Sequence, residues 1–393
     1  MGKKILSIAL IFISIYLLIS CNESEIGVFY GLSKEEKVKN YALPDHCTSE
    51  SMIKTGGYLY VAASSIYKKQ AEGGELDWHK IKSPSGYHNV TEMGLANDTI
   101  FILAYDSDDA KPYLFSGTGD GTWEKKDTSA IEKTISRMRV ANNVIFITDR
   151  EGHLYYSNDD GASFTQDTSI PDSKLFSTST GNFDLVYGGG SYYLNAQYKL
   201  YRGNPGGWTE FTPFHNGKIW KDEEDVFTRL YYDEDDDRLY TADNAGYIYA
   251  VDSPSGASGT SWVKSDHHAR SGMGLQGLIV LRIPIPTSNG STRTLLVAGS
   301  GINAGHGYYI VDNPRTSERK YLDPEPPRNR DYTTIISDYY DYNAFDLSKA
   351  AINSFFIDEY ADGTSFDFYA MTYGYGVWKN TNKGGYERAW NQE

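Results

Sequence analysis

Short apolar runs, rather than long amphipathic stretches, set the pattern of this chain. Leu59-Tyr60-Val61-Ala62, Ile100-Phe101-Ile102-Leu103, Val144-Ile145-Phe146-Ile147, Tyr192-Tyr193-Leu194, Leu239-Tyr240-Thr241-Ala242, Leu295-Leu296-Val297-Ala298 and Phe368-Tyr369-Ala370-Met371 are rich in β-branched and aromatic residues and bounded by Gly, Asn, Asp or Pro. Runs of this kind predict β-strands, and no long stretch has convincing 3.6-residue periodicity. A second strand signal follows each run, an apolar pair ending in an aromatic: Ile66-Tyr67, Leu114-Phe115, Leu154-Tyr155, Leu200-Tyr201, Ile248-Tyr249, Tyr308-Tyr309 and Val377-Trp378. A Gly/Asn/Asp turn then leads to one more aromatic: Trp78, Trp123, Phe164, Trp208, Trp262, Tyr321 and Tyr386. The pairs recur at intervals of roughly 40 to 70 residues, the signature of a repeat architecture.

A unit of this length has room for four strands, and one such sheet cannot bury both of its faces alone. Radial packing covers each face with the next unit and limits free edges. The pattern therefore predicts an all-β chain, a β-propeller of seven four-stranded blades, with six or eight as the alternatives. Leu278-Ile279-Val280-Leu281 and Phe355-Phe356-Ile357 read as innermost strands. Gly27-Val28-Phe29-Tyr30 is similar to Gly376-Val377-Trp378-Lys379, and reads as a strand closing the ring or as a vestigial eighth unit. With strands lettered A to D outward, the B–C loops and D–A connections share one face, where propellers usually hold ligands. The long loops are expected there: Tyr105 to Pro112, Tyr187 to Tyr198 and Gly299 to His306 as B–C loops, and His215 to Asp225, Ser265 to Gly274 and Leu322 to Ala350 as D–A connections.

Ser157-Asn158-Asp159-Asp160-Gly161-Ala162-Ser163-Phe164 matches the Asp-box of BNR, or sialidase-type, repeats at each defining place: Ser157, Asp159, Gly161 and Phe164. Asn380, Asn382, Gly384 and Tyr386 keep a weaker version. The chain therefore resembles BNR-repeat propellers over about residues 47–393. The resemblance implies that the box is a structural turn, its Asp accepting backbone hydrogen bonds and its aromatic packing inward, remote from any active centre. WD40 repeats fit the spacing, but their Gly-His and Trp-Asp signatures do not recur at fixed places.

The first residues decide the compartment. Lys3 and Lys4 precede an uncharged apolar run from Ile5 to Ser20, and Leu18-Ile19-Ser20-Cys21 resembles a bacterial lipobox. That resemblance implies a signal peptide over residues 1–20, a lipid on Cys21, a tether over 21–46 and the propeller over 47–393 with a long insertion at 322–350. The expected place is the bacterial envelope; Asn22, where enteric proteins kept at the inner membrane carry Asp, points to the outer membrane or cell surface. The formal charge of −15 argues against nucleic acid and anionic lipid as partners. With Cys21 lipidated, Cys47 has no disulfide partner and is expected to be buried. A core must then hold the fold, which 40% hydrophobic residues, 33 Tyr, 16 Phe and 7 Trp supply.

Candidate chemistry is sparse. Tyr332, Tyr339, Tyr340 and Tyr342, with Asp338 and Asp341, gather in the longest insertion, and tyrosines among acids suit a glycan or a protein surface. The chain is accordingly read as a non-catalytic binding platform, without cofactor or metal. The alternative is a sialidase-like glycoside hydrolase, which needs three arginines on a carboxylate. Arg137, Arg139, Arg229 and Arg282 lie on or near inner strands, and Arg282-Ile283-Pro284 matches a sialidase tripeptide but in the sixth unit rather than early in the chain. Asp233 to Asp237 lacks the glycine and distal glutamate of an EF-hand and reads as a solvated hairpin turn. His267-His268 reads as a polar loop.

Overall fold

Tight turns that favour positive φ cut the chain into antiparallel hairpins. The turns Gly56-Gly57, Asn97-Asp98, Asn142-Asn143 and Gly189-Gly190 have φ between 45° and 80° at both central residues, the geometry whose twist matches that of the flanking strands. The structure, a computed structural model, describes residues 43–44, 47–72, 77–109, 111–170, 183–196, 198–215, 218–219, 226–269, 274–284, 292–301, 307–314, 319–324, 350–383, 386–387 and 390–393. Cys21, Gly27 to Tyr30, and the six insertion residues Tyr332, Asp338, Tyr339, Tyr340, Asp341 and Tyr342 lie outside the described residues.

Seven antiparallel sheets form a β-propeller. Blade 1 runs Ser51–Thr55, Tyr58–Ala62, Ile66–Gln70, His79–Ile81, and blade 2 runs Tyr87–Ala96, Thr99–Asp106, Pro112–Gly117, Trp123–Lys125. Blade 3 is Ile135–Ala141, Val144–Asp149, Leu154–Ser157, Thr165–Asp167; blade 4 is Phe183–Gly188, Ser191–Ala196, Lys199–Asn204, Gly207–Glu210. Blade 5 is Phe227–Asp233, Arg238–Asp243, Ile248–Asp252, Val263–Lys264, and blade 6 is Leu275–Pro284, Thr292–Ser300, Tyr308–Asp312. Blade 7 is Ala351–Glu359, Phe366–Tyr373, Val377–Lys383, with an outermost strand split into Tyr386–Glu387 and Asn391–Gln392. Two details depart from the sequence reading. Tyr321 sits in a 3-10 turn, Arg319–Leu322, rather than beside a D strand. Tyr187 belongs to the A strand of blade 4, so the segment to Tyr198 is a hairpin and its B strand, not a B–C loop.

Apolar side chains fill the gaps between successive blades. Phe101 and Leu103 of blade 2 pack with Met138 and Ile145 of blade 3, and Phe146 of blade 3 packs with Leu185 and Tyr192 of blade 4. Four of the repeated tryptophans each add a hydrogen bond across a gap. Each indole N–H reaches back to the end of the preceding blade's outer strand: Trp123 to the Lys82 carbonyl at 2.8 Å, Trp208 to Asp167 at 2.7 Å, Trp262 to the Phe211 carbonyl at 3.0 Å and Trp78 to Glu393 at 3.0 Å. The last of these crosses the ring seam. There Glu393 also binds Lys69 and, at 2.9 Å, Lys379. The stretch ahead of blade 1 lies along blade 7, with Ser49 N–H on the Thr372 carbonyl and Gly376 N–H on the Cys47 carbonyl, both 3.1 Å. Cys47 is buried there.

Candidate functional site

The A strands lay one layer of charged side chains across the axis. Side chains alternate along a strand, so Arg137 and Arg139 of blade 3 point the same way. Five of the seven A strands have a register shift at or beside this level: His88/Glu92, the residue opposite Thr148/Asp149, Phe227/Arg229, Leu275/Gly277 and Ile352/Ser354. A bulge re-aims the side chain beside it, which is how polar groups from different blades come to one level.

The layer is a chain of ion pairs. Arg137 binds Glu50 at 2.8 Å and Glu92 at 3.0 Å; Arg139 reaches Glu92 and Asp184, each at 3.2 Å. Arg229 stands 3.9 Å from Asp184 and donates to the Gln276 carbonyl. Backbone amides complete the acceptors: Met138 N–H on Glu92, and Leu230 N–H on Asp184 at 2.9 Å. Burial pushes the Glu50 carboxyl up, but Arg137, Arg229 and Arg139 outweigh it and hold the group below its usual range. Burial also opposes the charge on Arg137 and Arg139; Glu92, with Glu50 for the first and Asp184 for the second, raises both. At Arg229 burial wins and the guanidinium is lowered.

Two cavities adjoin this layer. One, about 230 Å³, lies on the axis and touches the A strands of every blade, among them Arg139, Asp184 and Arg229, together with Glu50 just ahead of blade 1. The other, about 460 Å³, is at the end of the A strands of blades 2 and 3 where the D–A and B–C connections run. Thr91, Tyr105, Ser136, Arg137, Arg150 and Glu50 line it. Burial and the charge of Glu92 keep the Tyr105 hydroxyl protonated well past neutrality, so it can serve as a donor. Arg150 is exposed and makes no ion pair among the described residues. The mouth thus offers the exposed Arg150 guanidinium and three hydroxyls, with the Glu50 carboxylate partly buried and paired to Arg137, a setting for an anionic or hydroxyl-rich ligand.

Of the four arginines that sequence brought forward, Arg137, Arg139 and Arg229 meet here and Arg282 does not. Arg282 is at the far end of its A strand, bound to Asp233 at 2.8 Å, Asp235 at 3.0 Å and Asp236 at 3.3 Å. The Asp233 to Asp237 segment is a hairpin turn as expected, but Asp233 itself is buried rather than solvated. Ser157, Asp159, Gly161 and Phe164 form a C–D turn: Asp159 accepts from Ser157 Oγ at 2.7 Å and Ser163 N–H at 3.0 Å, and Phe164 is buried. These bonds lower the Asp159 carboxyl to about 2, with the Ser163 hydroxyl the largest contributor. His267 pairs with Asp323 at 2.8 Å, while His268 meets the Tyr247 ring edge-on. Glu50, Glu92, Asp184 and Arg150 were not singled out from sequence. A signal existed: a charged residue followed by an apolar one recurs within the A strands of blades 2 to 5, in Glu92-Met93, Arg137-Met138, Asp184-Leu185 and Arg229-Leu230.

No family model matches the chain, and no curated protein matches it in sequence. Solved structures are similar in fold. YCF48 from Cyanidioschyzon merolae superposes with a TM-score of 0.53 at 11% identity, covering 85% of this chain and 95% of that one. The GH74 xyloglucanase from Xanthomonas campestris gives 0.58 at 14%, covering 87% of this chain and 53% of that one. The extracellular domain of the hybrid two component system BT4673 from B. thetaiotaomicron gives 0.56 at 14%, covering 87% and 39%. This chain therefore spans about half of the xyloglucanase and less of the BT4673 domain, and identities this low speak for the propeller alone.

Proposed function

We propose that this protein is a lipid-anchored envelope lipoprotein whose BNR-type propeller is a non-catalytic platform, binding a glycan or protein ligand on the D–A face around Arg137, Arg150 and Tyr105. The carrying observation is the state of the axial carboxylates. Glu50, Glu92 and Asp184 are all paired with arginine, and Glu50 is held ionised. A glycosidase needs one carboxyl kept protonated as its acid, and this layer supplies acceptors instead. The arginines are likewise neutralised from within, unlike a clamp waiting for a substrate carboxylate. The sialidase reading of Arg282 is weakened by its three aspartate partners.

The anchor rests on Leu18 to Cys21, and the BNR reading on the Ser157 to Phe164 turn, whose hydrogen bonds have the pattern the box requires. Among similar folds, YCF48 has been solved bound to D1 peptide, and a xyloglucanase uses the same fold as an enzyme. Tyr332, Tyr339, Tyr340, Tyr342, Asp338 and Asp341 are proposed as the insertion's contribution. Leu322 and Ala350 at its ends are fully buried, so replacing residues 325–349 by a Gly-Ser turn should leave the blades paired. Glycan arrays and pull-downs with the protein test the platform. Arg150→Glu and the shortened loop should each weaken capture by about tenfold or more, while Cys21→Ser should abolish palmitate labelling. Hydrolysis of a fluorogenic sialoside that disappears in Arg282→Ala would instead establish the enzyme.

A further inference from the structure

The repeated tryptophans are not equivalent. Trp78, Trp208 and Trp262 are between 2% and 8% exposed; Trp123 makes the same backward hydrogen bond yet stays half-buried. Its ring lies against Gly117, where a Cβ would come within 2.8 Å of the indole. The rest of the ring faces a cleft of about 500 Å³ between blades 1 and 2. Trp208 and Trp262, at the same place in their blades, are instead buried.

The lining of this cleft has a definite chemistry. Trp123, Tyr87, Phe115 and Pro84 make an aromatic and apolar floor. Tyr87 and Phe115 are locked edge to face at 4.6 Å between centroids, so the floor is pre-formed. Around it stand Ser83, Ser85, Thr122, Lys82 and Lys125, and among the described residues no acid lines the cleft. Lys125 donates to the Tyr87 hydroxyl at 2.8 Å and lies 3.5 Å over the Tyr113 ring, which fixes its ammonium at the rim. Lys82 is exposed and its side chain has no partner among the described residues. On a chain of net charge −15, this is a local excess of positive charge.

We propose that this cleft binds an acidic saccharide, with the CH face of a pyranose ring on Trp123, its hydroxyls on Ser83, Ser85 and Thr122, and a uronate carboxylate on Lys82 and Lys125. An aromatic floor inside a ring of hydroxyl donors matches a sugar, which is apolar on its faces and polar on its edges. A peptide would be better served by an open strand edge or an apolar groove. The site is separate from the axial mouth and does not depend on it.

The test is calorimetric titration of the full-length protein with oligogalacturonate and, in parallel, a neutral cello-oligosaccharide. Oligogalacturonate should bind, with affinity lowered by about tenfold or more in Lys82→Glu and in Trp123→Ala, and unchanged in Lys199→Ala, a surface lysine of blade 4 paired with Glu210. Lys82 is exposed, so an unaltered melting temperature of Lys82→Glu excludes misfolding as the cause. Absence of binding, equal affinity for the neutral oligosaccharide, full binding by Lys82→Glu, or loss of binding in Lys199→Ala would each overturn the proposal.

Discussion

At the residue scale, the indole N–H explains why tryptophan recurs where any large apolar group could fill the gap. Trp208 buries its ring against Phe146 and places its N–H on Asp167, a buried carboxylate that also accepts from Gly206 N–H and Ser169. Removing a donor from a buried acceptor costs about 1–3 kcal/mol, and truncating a buried large aromatic costs about 3–5 kcal/mol. Trp208→Phe should therefore lose only the smaller amount and Trp208→Ala the larger, in denaturant unfolding. Trp123→Ala should cost less than Trp208→Ala, because the Trp123 ring already meets water. Equal losses at the two positions would contradict the difference in burial.

At the element scale, the B–C turns of blades 3 and 5 share a device that the apolar pattern did not reveal. The last residue of the B strand caps its own turn. Asp243 accepts from Ala245 N–H at 3.0 Å, Tyr247 N–H at 2.9 Å and the Tyr249 hydroxyl at 2.8 Å. Asp149 does the same for Glu151 and His153 N–H, both at 2.9 Å. In each turn the glycine three residues on, Gly152 or Gly246, has a φ near 90°, so Asp-x-x-Gly is the readable form. Asp243→Ala orphans several donors at once and should destabilise the protein by about 1–3 kcal/mol. Urea unfolding measures this, and Asp243→Asn, which keeps an acceptor, should recover part of the loss. The A–B turns were easier to read, since Gly-Gly, Asn-Asp and Asn-Asn between apolar runs are hairpin signals by themselves.

At the scale of the whole molecule, stability should depend on how the ring closes. Glu393 carries three contacts across or beside the seam, to Lys69, Lys379 and Trp78. Burial pushes its carboxyl up, but Lys69 and Lys379 outweigh burial and hold it below the usual glutamate range. A carboxyl depressed in the folded state binds fewer protons there than in the unfolded chain. Its contribution is thus complete above the unfolded value and is lost as pH falls through the folded one. The melting temperature should drop between about pH 6 and pH 3, and Glu393→Gln should show a shallower drop over that range. Near neutrality the same variant leaves Lys69, itself lowered chiefly by burial, without its counter-ion, a change that costs about 3–5 kcal/mol for a buried pair. Parallel pH slopes for the two proteins would remove Glu393 from the seam's energetics.

The strands, the turns and the seven-fold repeat were legible in the chain because each is a local property: β-branched and aromatic runs, residues that tolerate positive φ, and one unit repeated. Leu239-Tyr240-Thr241-Ala242 is a B strand whatever surrounds it, and the match of all seven B and C signals to strands follows from that. The axial layer is not local. Whether Arg139 faces Glu92 or solvent depends on strand register, and a one-residue slip sends every side chain to the opposite face. The bulges that set this level leave no mark in the apolar pattern, so Arg282 and Arg229 looked alike in sequence. Only the closed ring puts Arg229 among Glu50 and Asp184 and sends Arg282 to an acidic turn at the other end, because radial packing brings together residues that no stretch of chain connects.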